Sequence, residues 1–378
     1  MTAPEKQPPA QAHSHWLSAT AIIMLLVIAQ AVGIWALAHA KLEPGQLLPS
    51  AWADGHAGSA LGEALSLPLQ KEADTVSAAV RYRLFGDLGN QVVQGCPGWL
   101  FYRDGLRAQP GISDAYEARQ RLMQHWVGQL RAQGLQVLLV AVPDKSRIET
   151  HALCGLRQSA QLQARLGQWQ THLASLGVPY VDLGSALTET SGQRAQFFRT
   201  DVHLNASGAQ RAADAVAASA LPMLAGKREQ MFTQSQAGNP QPRMGDLIVL
   251  AGLEHAAAAW RPALEDEYPE QIQAQRGGGL LDETPAVEVL LAGSSNGRRS
   301  AFAERLGRNL GQQVWNQSLD GGQFCGALLA ALNKRERWPA SLKLVIWEFS
   351  ESALSLPLTA DERAVLASLP EKQANHAL

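Results

Sequence analysis

The stretch LQVLLVAV, residues 135–142, decides the fold. It is almost entirely apolar and rich in valine, which is typical of a strand buried on both faces. The preceding segment carries apolar residues at helical spacing from residue 122 to residue 130 and ends at Gly134. A helix followed by a doubly buried strand is the repeating unit of α/β proteins, so the sequence predicts a parallel sheet covered by helices.

The same alternation recurs towards the end of the chain. Further strand-like segments are VPYVDL at 178–183, VEVLL at 287–291, VWNQSL at 314–319 and LKLVIWEF at 342–349. Helical patterns lie at about residues 162–173, 207–221, 302–310 and 322–335. We therefore expect one α/β domain over residues 80–355, with helices on both faces of its sheet.

Two short strings supply the chemistry of a nucleophilic active site. TDVHLNASG contains Asp201 and His203, and LLAGSSNGR contains Ser295 just after a predicted strand. A serine hydroxyl is a poor nucleophile until a neutral imidazole takes its proton, and that imidazole needs a carboxylate to fix its tautomer. We predict that these three residues meet at the carboxyl ends of the parallel strands, where such sheets bind ligands.

Each string alone has a simpler interpretation. A serine after a strand is commonly a helix N-cap, and a short Asp-X-His string arises often by chance. The GxSxG motif of a nucleophile elbow is absent, and the adjacent hydroxyl of Ser294 is a rival nucleophile. We expect no metal ion, because the three cysteines lack zinc-site spacing, and no nucleotide or coenzyme A motif predicts a cofactor.

Several strings together suggest a family. They are GCPGWLFYRDG at 95–105, LLVAVPDKSRIET at 138–150, FFRTDVHLNASG at 197–208, VLLAGSSN at 289–296, SLDGGQF at 318–324 and KLVIWEF at 343–349. In this order they resemble the alginate O-acetyltransferases of the AlgX and AlgJ type, whose catalytic domain is similar to an SGNH hydrolase in circularly permuted order. Asp and His precede Ser in that family, as they do here. The resemblance implies Ser295 as nucleophile, His203 as base and Asp201 as its orienting partner.

The resemblance implies further roles near the nucleophile. Gly321 and Gly322 match the place where an SGNH-like enzyme lends a backbone N–H to the oxyanion, and the alternative is a plain helix-starting turn. Asn296 and Arg298 follow the nucleophile and are candidate oxyanion or substrate-binding residues, although basic residues on a helix are most often solvated. Leu204 stands where the family commonly has an aromatic residue, which leaves one wall of the acceptor site undefined.

Cysteine pairing depends on export. Cys96 and Cys154 lie near the ends of matching strings and are able to pair in an oxidising periplasm, leaving Cys325 free. Three buried thiols are the alternative.

The N-terminus differs from the rest of the chain. Residues 16–38 read WLSATAIIMLLVIAQAVGIWALA without a charge, enough to cross a hydrocarbon core of about 30 Å. We predict a cytoplasmic tail at 1–15, a transmembrane signal anchor at 16–38 and a periplasmic stalk at 39–79. A cleaved signal peptide is the alternative, since small residues that resemble a cleavage site follow the apolar run. Either interpretation exports the domain from the cytoplasm of a bacterium.

Two segments interrupt the α/β pattern. Residues 226–284 are rich in Gln, Pro and Gly and are interpreted as an irregular insertion near the site, either part of an acceptor groove or a surface loop. Residues 356–378 are interpreted as a C-terminal tail.

Composition restricts the partners. The chain has 32 Lys and Arg against 34 Asp and Glu, with no long charge runs, which argues against a nucleic-acid partner. The resemblance implies a polysaccharide acceptor, a membrane-bound O-acyltransferase that supplies acetyl groups, and other exopolysaccharide synthesis subunits. The slight acidity leaves a neutral glucan such as cellulose open beside polyanionic alginate. Alternative functions are a polysaccharide acetylesterase and a non-catalytic polysaccharide-binding or scaffold subunit.

Overall fold

The computed structural model describes residues 12–39, 48–53, 56–64, 70–108, 111–192, 194–236, 238–275 and 286–369. The chain divides into two compact units, Met1–Ser77 and Ala78–Leu378. Of the predicted N-terminal tail, residues 1–11 lie outside the described residues.

The first unit contains an apolar helix. Its described helices are α1 (Ala12–His39), α2 (Pro49–Ala53) and α3 (His56–Ala64). The 22-residue part Ser18–His39 of α1 is apolar enough to cross a membrane, and at 1.5 Å per residue it is about 33 Å long. Its large side chains, such as Ile22 and Leu25, are exposed. The helix is consistent with a membrane anchor or a signal sequence, and the predicted span 16–38 falls on it.

The second unit is built on a parallel sheet. Within the described residues this sheet has five strands, β3 (Gln136–Val142), β4 (Tyr180–Val181), β9 (Val289–Ala292), β10 (Val314–Asn316) and β11 (Leu344–Ser350), in the order β10-β9-β11-β3-β4. All neighbouring strands run parallel, with Val345 of β11 opposite Val137 on one side and Leu290 on the other. The predicted parallel sheet is confirmed.

Helices cover both faces of the sheet, as the doubly apolar strands require. They are α5 (Ile112–Ala132), α6 (Lys145–Ile148), α7 (Ala160–Ser175), α8 (Leu183–Ser191), α9 (Ala206–Met223), α11 (Ser295–Arg298), α12 (Phe302–Leu310) and α13 (Gly326–Leu332). Side chains alternate along β3, so Leu139 packs with the core beside α5, α7 and α13, whereas Leu138 packs with the core beside α8, α9 and α12.

A small ribbon adjoins this domain. Helix α4 (Gln70–Phe85) begins in the range predicted as a stalk, and its Ala78 and Ala79 are buried in a cluster with residues of the ribbon strands β1 (Val92–Gln94) and β2 (Leu100–Tyr102). Cys96, between these strands, forms a disulfide with Cys154, while Cys325 is free and buried.

The insertion at 226–284 is more regular than its composition indicates. Strand β5 (Phe232–Gln236) pairs with β8 (Glu270–Ala274), and β6 (Gln241–Arg243) pairs with β7 (Glu265–Glu267), both antiparallel. A short helix, α10 (Asp246–Leu250), lies between the ribbons in sequence. The expectation of an irregular segment is therefore wrong where the structure describes it, and its glycine-rich end at 276–284 lies outside the described residues.

The predicted C-terminal tail at 356–378 is wrong for its first part. Helix α14 (Ala360–Ser368) starts with a capping box between Thr359 and Glu362. Both Glu362 and its ion-pair partner Arg119 on α5 have fully buried side chains. This pair attaches α14 to the domain, and residues 370–378 lie outside the described residues.

Candidate active site

The nucleophile loop joins the end of β9 to α11. A Cβ at Gly293 would lie 2.6 Å from Glu348 Oε2, so glycine is needed for this close approach. Ser294 is the N-cap of α11, and its Oγ accepts a hydrogen bond from the N–H of Asn296 at 3.2 Å. Ser295 is therefore the first residue of the helix, and it is half-buried at the loop surface.

Asp201 and His203 lie on a tight loop before α9. A single bridge between Phe197 and Leu204 closes this loop. Asp201 Oδ1 accepts a hydrogen bond from the backbone N–H of His203 at 3.0 Å. The two-residue spacing thus forms a local turn in which the carboxylate stands beside its own histidine.

The structure brings together the three residues of the predicted triad. His203 Nε2 lies 2.7 Å from Ser295 Oγ, and His203 Nδ1 lies 2.6 Å from Asp201 Oδ1. The aspartate is fully buried and the histidine nearly so. With the proton on Nδ1 donated to the aspartate, Nε2 accepts the hydroxyl proton of the serine. The arrangement is able to activate Ser295 as a nucleophile.

Ser294, the rival nucleophile, makes different contacts. Its backbone N–H donates to Glu348 Oε2 at 2.6 Å, and its Oγ donates to Glu348 Oε1 at 2.7 Å. Ser294 is buried, with 6% of its surface exposed. Its hydroxyl is thus used as a helix cap and as a donor to Glu348, whereas Ser295 meets the imidazole.

Glu348 is a buried carboxyl group beneath the nucleophile loop. It lies on the central strand β11, and only 2% of it is exposed. Burial raises the pKa of Glu348 to about 7, although the hydrogen bonds from Ser294 and from the backbone of Gly297 oppose this. Sequence reasoning missed this residue because it stands in the apolar string KLVIWEF, which indicates only a strand.

The insertion contributes two residues that sequence reasoning also missed. Arg243 at the end of β6 donates from Nη2 to Asp201 Oδ2 at 2.7 Å. Asp246 at the start of α10 places Oδ2 3.2 Å from His203 Nδ1. A Cβ on the intervening Gly245 would lie 2.1 Å from the carbonyl oxygen of Thr200, so this glycine allows the insertion to approach the Asp201 loop. In the sequence, Gly245 indicates a close approach of two backbone segments but does not identify the second segment.

The surrounding charges set the protonation of the pair. Burial raises the pKa of Asp201, but its hydrogen bond with His203 and the charges of His203 and Arg243 outweigh burial and hold that pKa well below its usual value. Burial lowers the pKa of His203, but hydrogen bonds to Asp201 and Asp246 outweigh it and raise that pKa. The aspartate therefore stays ionised and stabilises the imidazolium that forms when the serine is deprotonated.

A pocket of about 200 Å³ opens beside Ser295. Ser295, Asn296, Tyr102, Ser350 and Ser352 are among its lining residues. Asn296 Oδ1 accepts from the N–H of Leu204 at 3.3 Å, and its Nδ2 lies 3.4 Å from Ser350 Oγ, so the amide nitrogen is on the hydroxyl-lined side. This volume is smaller than the roughly 300–1,000 Å³ of ligand pockets that enclose drug-sized molecules, which suits a small acyl group with part of its carrier.

The predicted glycines occupy a turn. The N–H of Gly322 donates to the carbonyl of Leu319 at 3.2 Å, and Gly321 has a left-handed φ of 70° within that turn. Neither glycine lines the pocket at Ser295. The N–H of Gly322, which is expected at the oxyanion, is already used in a hydrogen bond to Leu319. The two glycines therefore form a turn before a helix, which is the alternative interpretation.

Arg298 and Leu204 also lie apart from the predicted triad. The Arg298 side chain is half exposed and pairs with Asp320 at 3.3 Å. Leu204 is buried in the core beside α9 and α12 rather than forming an open wall.

Lys145 has a structural role beside the triad. Its Nζ donates to the carbonyls of Leu100 at 2.6 Å, Arg199 at 2.8 Å and Asp201 at 3.1 Å. Burial lowers its pKa to about 7. The neighbouring Asp144 caps α6 by accepting from the N–H of Ser146 at 2.8 Å. Because two of its three acceptors are carbonyls of residues 199 and 201, Lys145 fixes the backbone of the Asp201 loop.

The side chains around His203 also offer the kinds of atoms that bind a metal ion. Asp201, His203 and Asp246 offer ligand atoms within 4.8 Å of one another. The guanidinium of Arg243 already supplies a positive charge to Asp201, and Nδ1 of the histidine is engaged by carboxylates. A hydrogen-bonded triad satisfies these groups without a cation.

Comparisons with known proteins agree with the fold. A family model described as SGNH hydrolase-like domain, acetyltransferase AlgX, matches residues 92–351. The probable alginate O-acetylase AlgJ of Azotobacter vinelandii is 28% identical over 305 residues, which cover 78% of this chain and 78% of that protein. The alginate biosynthesis protein AlgX of Pseudomonas putida is 26% identical over 272 residues, covering 68% of this chain and 56% of that protein.

Two solved structures share the architecture. The O-acetyltransferase domain of Pseudomonas putida AlgJ superposes with a TM-score of 0.63 at 23% identity, covering 73% of this chain and 97% of that domain. Pseudomonas aeruginosa AlgX superposes with a TM-score of 0.52 at 20% identity, covering 72% of this chain and 66% of that one.

Proposed function

Because this chain belongs to the family of SGNH hydrolase-like AlgX acetyltransferase domains, we propose that it O-acetylates an exported bacterial polysaccharide through an acetyl-serine intermediate. The observation that carries the proposal is the contact of 2.7 Å between His203 Nε2 and Ser295 Oγ. It gives one hydroxyl a base, which is what a covalent acyl transfer requires.

In the first half-reaction Ser295 Oγ attacks the carbonyl carbon of an acetyl donor while its proton passes to His203 Nε2. The tetrahedral oxyanion collapses, the bond to the leaving group breaks, and His203 returns the proton to that group. Asp201 accepts the Nδ1 proton of the imidazolium in a hydrogen bond throughout and stays ionised, in keeping with its low pKa.

The oxyanion needs preorganised donors on the pocket side of Ser295. We assign the backbone N–H of Ser295, which as the first helical amide has no intrahelical acceptor. The second donor is Nδ2 of Asn296, which lines the same pocket. A donor of this kind typically accounts for a factor of about 10² to 10³ in kcat.

In the second half-reaction a sugar hydroxyl enters in place of the leaving group. His203 takes its proton, the sugar oxygen forms the new ester bond, and the bond from the acetyl carbon to Ser295 Oγ breaks as the serine regains a proton. With water as acceptor the same steps give an acetylesterase.

The setting of the reaction follows from the anchor and from the relatives. We propose that α1 anchors the chain in the inner membrane with the domain in the periplasm, where the Cys96–Cys154 disulfide is stable. The acetyl group then comes from a membrane-bound O-acyltransferase, and other exopolysaccharide synthesis subunits are further partners. Relatives are named for alginate, and the slightly acidic charge of the chain leaves a neutral glucan open. We therefore propose alginate or cellulose as the acceptor.

The test uses the full chain purified in detergent with an activated acetyl ester. Mass spectrometry is expected to find one acetyl group on Ser295 in the wild type and none in Ser295→Ala. Ser294→Ala is the matched control, and it should still carry acetyl on Ser295. Acetyl on Ser294 would overturn the nucleophile assignment, and a wild type without acetyl-serine or ester turnover would favour the scaffold function.

A further inference from the structure

A groove separate from the pocket at Ser295 lies between the insertion and the catalytic domain. Its volume is about 1090 Å³, slightly above the roughly 300–1,000 Å³ of pockets that enclose drug-sized molecules. One wall comes from β5, β6 and residues 265–270 of the insertion, and the other from residues 194–207 and 300–305. We propose that this groove binds an uncharged, hydroxyl-rich glycan, as a distal subsite for the polysaccharide acceptor. The acceptor role rests on the proposed function.

The side chains that line the groove suit sugar hydroxyls. Gln236, Gln241 and Ser235 are exposed on the insertion wall, and Ser207 lies on the opposite wall. Amides and hydroxyls both donate and accept hydrogen bonds, as sugar hydroxyls require. Tyr268 is 55% exposed among them and offers an aromatic face on which a sugar ring can stack.

The charges of the groove disfavour a polyanion. Four carboxylates and two arginines are among the lining residues. Of the arginines, Arg305 is buried and already bound to Glu270, whereas Arg194 is exposed. The exposed Asp266 adds a negative charge that a uronate chain would meet directly. A polyuronate needs several available cations, and the single exposed arginine is balanced by Asp266, so the groove suits an uncharged chain.

The groove adjoins the support of the triad. Glu267 in its wall accepts from Arg243 Nη1 at 2.7 Å, and Nη2 of the same arginine donates to Asp201 Oδ2 at 2.7 Å. Ser300 and Ala301, also in the wall, follow Ser295 closely in sequence. A glycan held here would contact Glu267, which holds the arginine that supports Asp201, and binding away from the reacting sugar supplies energy for positioning it.

The experiment measures binding without turnover. Full-length Ser295→Ala protein in detergent is titrated calorimetrically with cellohexaose and, separately, with a mannuronate hexamer. We expect cellohexaose to bind at least about tenfold more tightly, the ratio that corresponds to roughly 1.4 kcal/mol. Equal or tighter binding of the mannuronate hexamer, or no binding of cellohexaose, would overturn the proposal.

Variants locate the binding in the groove. In the same background, Tyr268→Ala should weaken cellohexaose binding about threefold to tenfold, as the loss of one aromatic contact does. Trp260→Ala, at a 40% exposed aromatic outside the lining residues, is the matched control and should bind as the parent does. Asp266→Lys should instead strengthen mannuronate binding. If Tyr268→Ala and Trp260→Ala bind alike, the glycan is not in this groove.

These results are independent of the proposed acetyl transfer. Binding is read in a protein that lacks the nucleophile, whereas the acetyl group on Ser295 is read in the wild type. A wild type that acetylates Ser295 while Ser295→Ala binds no cellohexaose would reject the groove and leave the acetyl transfer standing.

Discussion

Asp246 places a carboxylate oxygen 3.2 Å from Nδ1 of His203, so this imidazole faces a second acid besides Asp201. The shorter contact, 2.6 Å, belongs to Asp201, whose other oxygen is held by Arg243. Asp201 is buried, whereas the Asp246 side chain is 31% exposed. The geometry assigns the tautomer to Asp201 and leaves Asp246 to tune the basicity of the histidine.

We therefore predict that Asp246→Asn shifts the pH profile more than it lowers the maximum rate. The Asp246 carboxylate helps to raise the pKa of His203, and only the neutral imidazole accepts the serine proton. Removing that charge lowers this pKa, so the acid limb of kcat/KM for ester turnover should move to lower pH. Asp201→Asn is the comparison, and it should lower kcat by about 10⁴. An unchanged acid limb in Asp246→Asn would show that its charge does not act on the histidine.

The raised pKa of Glu348, which lies beneath the nucleophile loop, predicts that the stability of the folded protein depends on pH. Its pKa is about 7 in the folded protein against 4.5 for an ordinary glutamate, so the folded state binds the proton more tightly. Stability from this group is therefore present at low pH and falls as pH rises from about 4.5 to about 7. Urea unfolding across this window should show a steeper loss in wild type than in Glu348→Gln. If the stability of wild type and of Glu348→Gln changed equally with pH, the pKa of the Glu348 carboxyl group would not be raised in the folded protein.

Features that are encoded by neighbouring residues in the sequence are predictable here, whereas features that depend on contacts between distant residues are not. The strand at 135–142 and the strand leading to Ser295 are predictable, because a sheet buried on both faces needs runs of apolar residues. The position of Ser295 follows from the same logic, because β9 ends at that edge of the sheet. His203 lies on a loop before α9 and does not directly follow a strand of the sheet, so its position does not follow from the strand pattern.

The roles of the remaining site residues depend on contacts that produce no periodic pattern of apolar residues in the sequence. Arg243 reaches Asp201 across 42 residues from a Gln-rich segment, where neither ribbon shows an apolar face. The expected oxyanion role of Gly322 does not match its local bonding, since the turn to Leu319 takes the amide. Long-range pairing and local hydrogen bonding therefore decide those positions.

The disulfide predicts a measurable loss on reduction. It closes a separation of 58 residues, which in the chain-entropy model corresponds to about 4 kcal/mol of unfolding free energy. Cys96→Ser with Cys154→Ser should lower the melting temperature, and reductant should lower that of the wild type but not of the double variant.

Cys325 is buried, and burial raises its pKa to about 12, so it should resist alkylation in the native state. Rapid native alkylation of Cys325, read by mass spectrometry, would contradict its burial.

The buried pair of Arg119 and Glu362 predicts that α14 is needed for stability. Arg119 donates from Nε at 3.0 Å and from Nη2 at 2.9 Å to the carboxylate of Glu362, and both side chains are fully buried. Removing one partner leaves a buried, uncompensated charge, so Glu362→Ala should cost about 3–5 kcal/mol in urea unfolding. Arg81→Ala is the control: its ion pair with Asp87 is half exposed, and the loss should stay within about 1 kcal/mol. Equal losses in the two variants would mean that α14 does not depend on the buried pair.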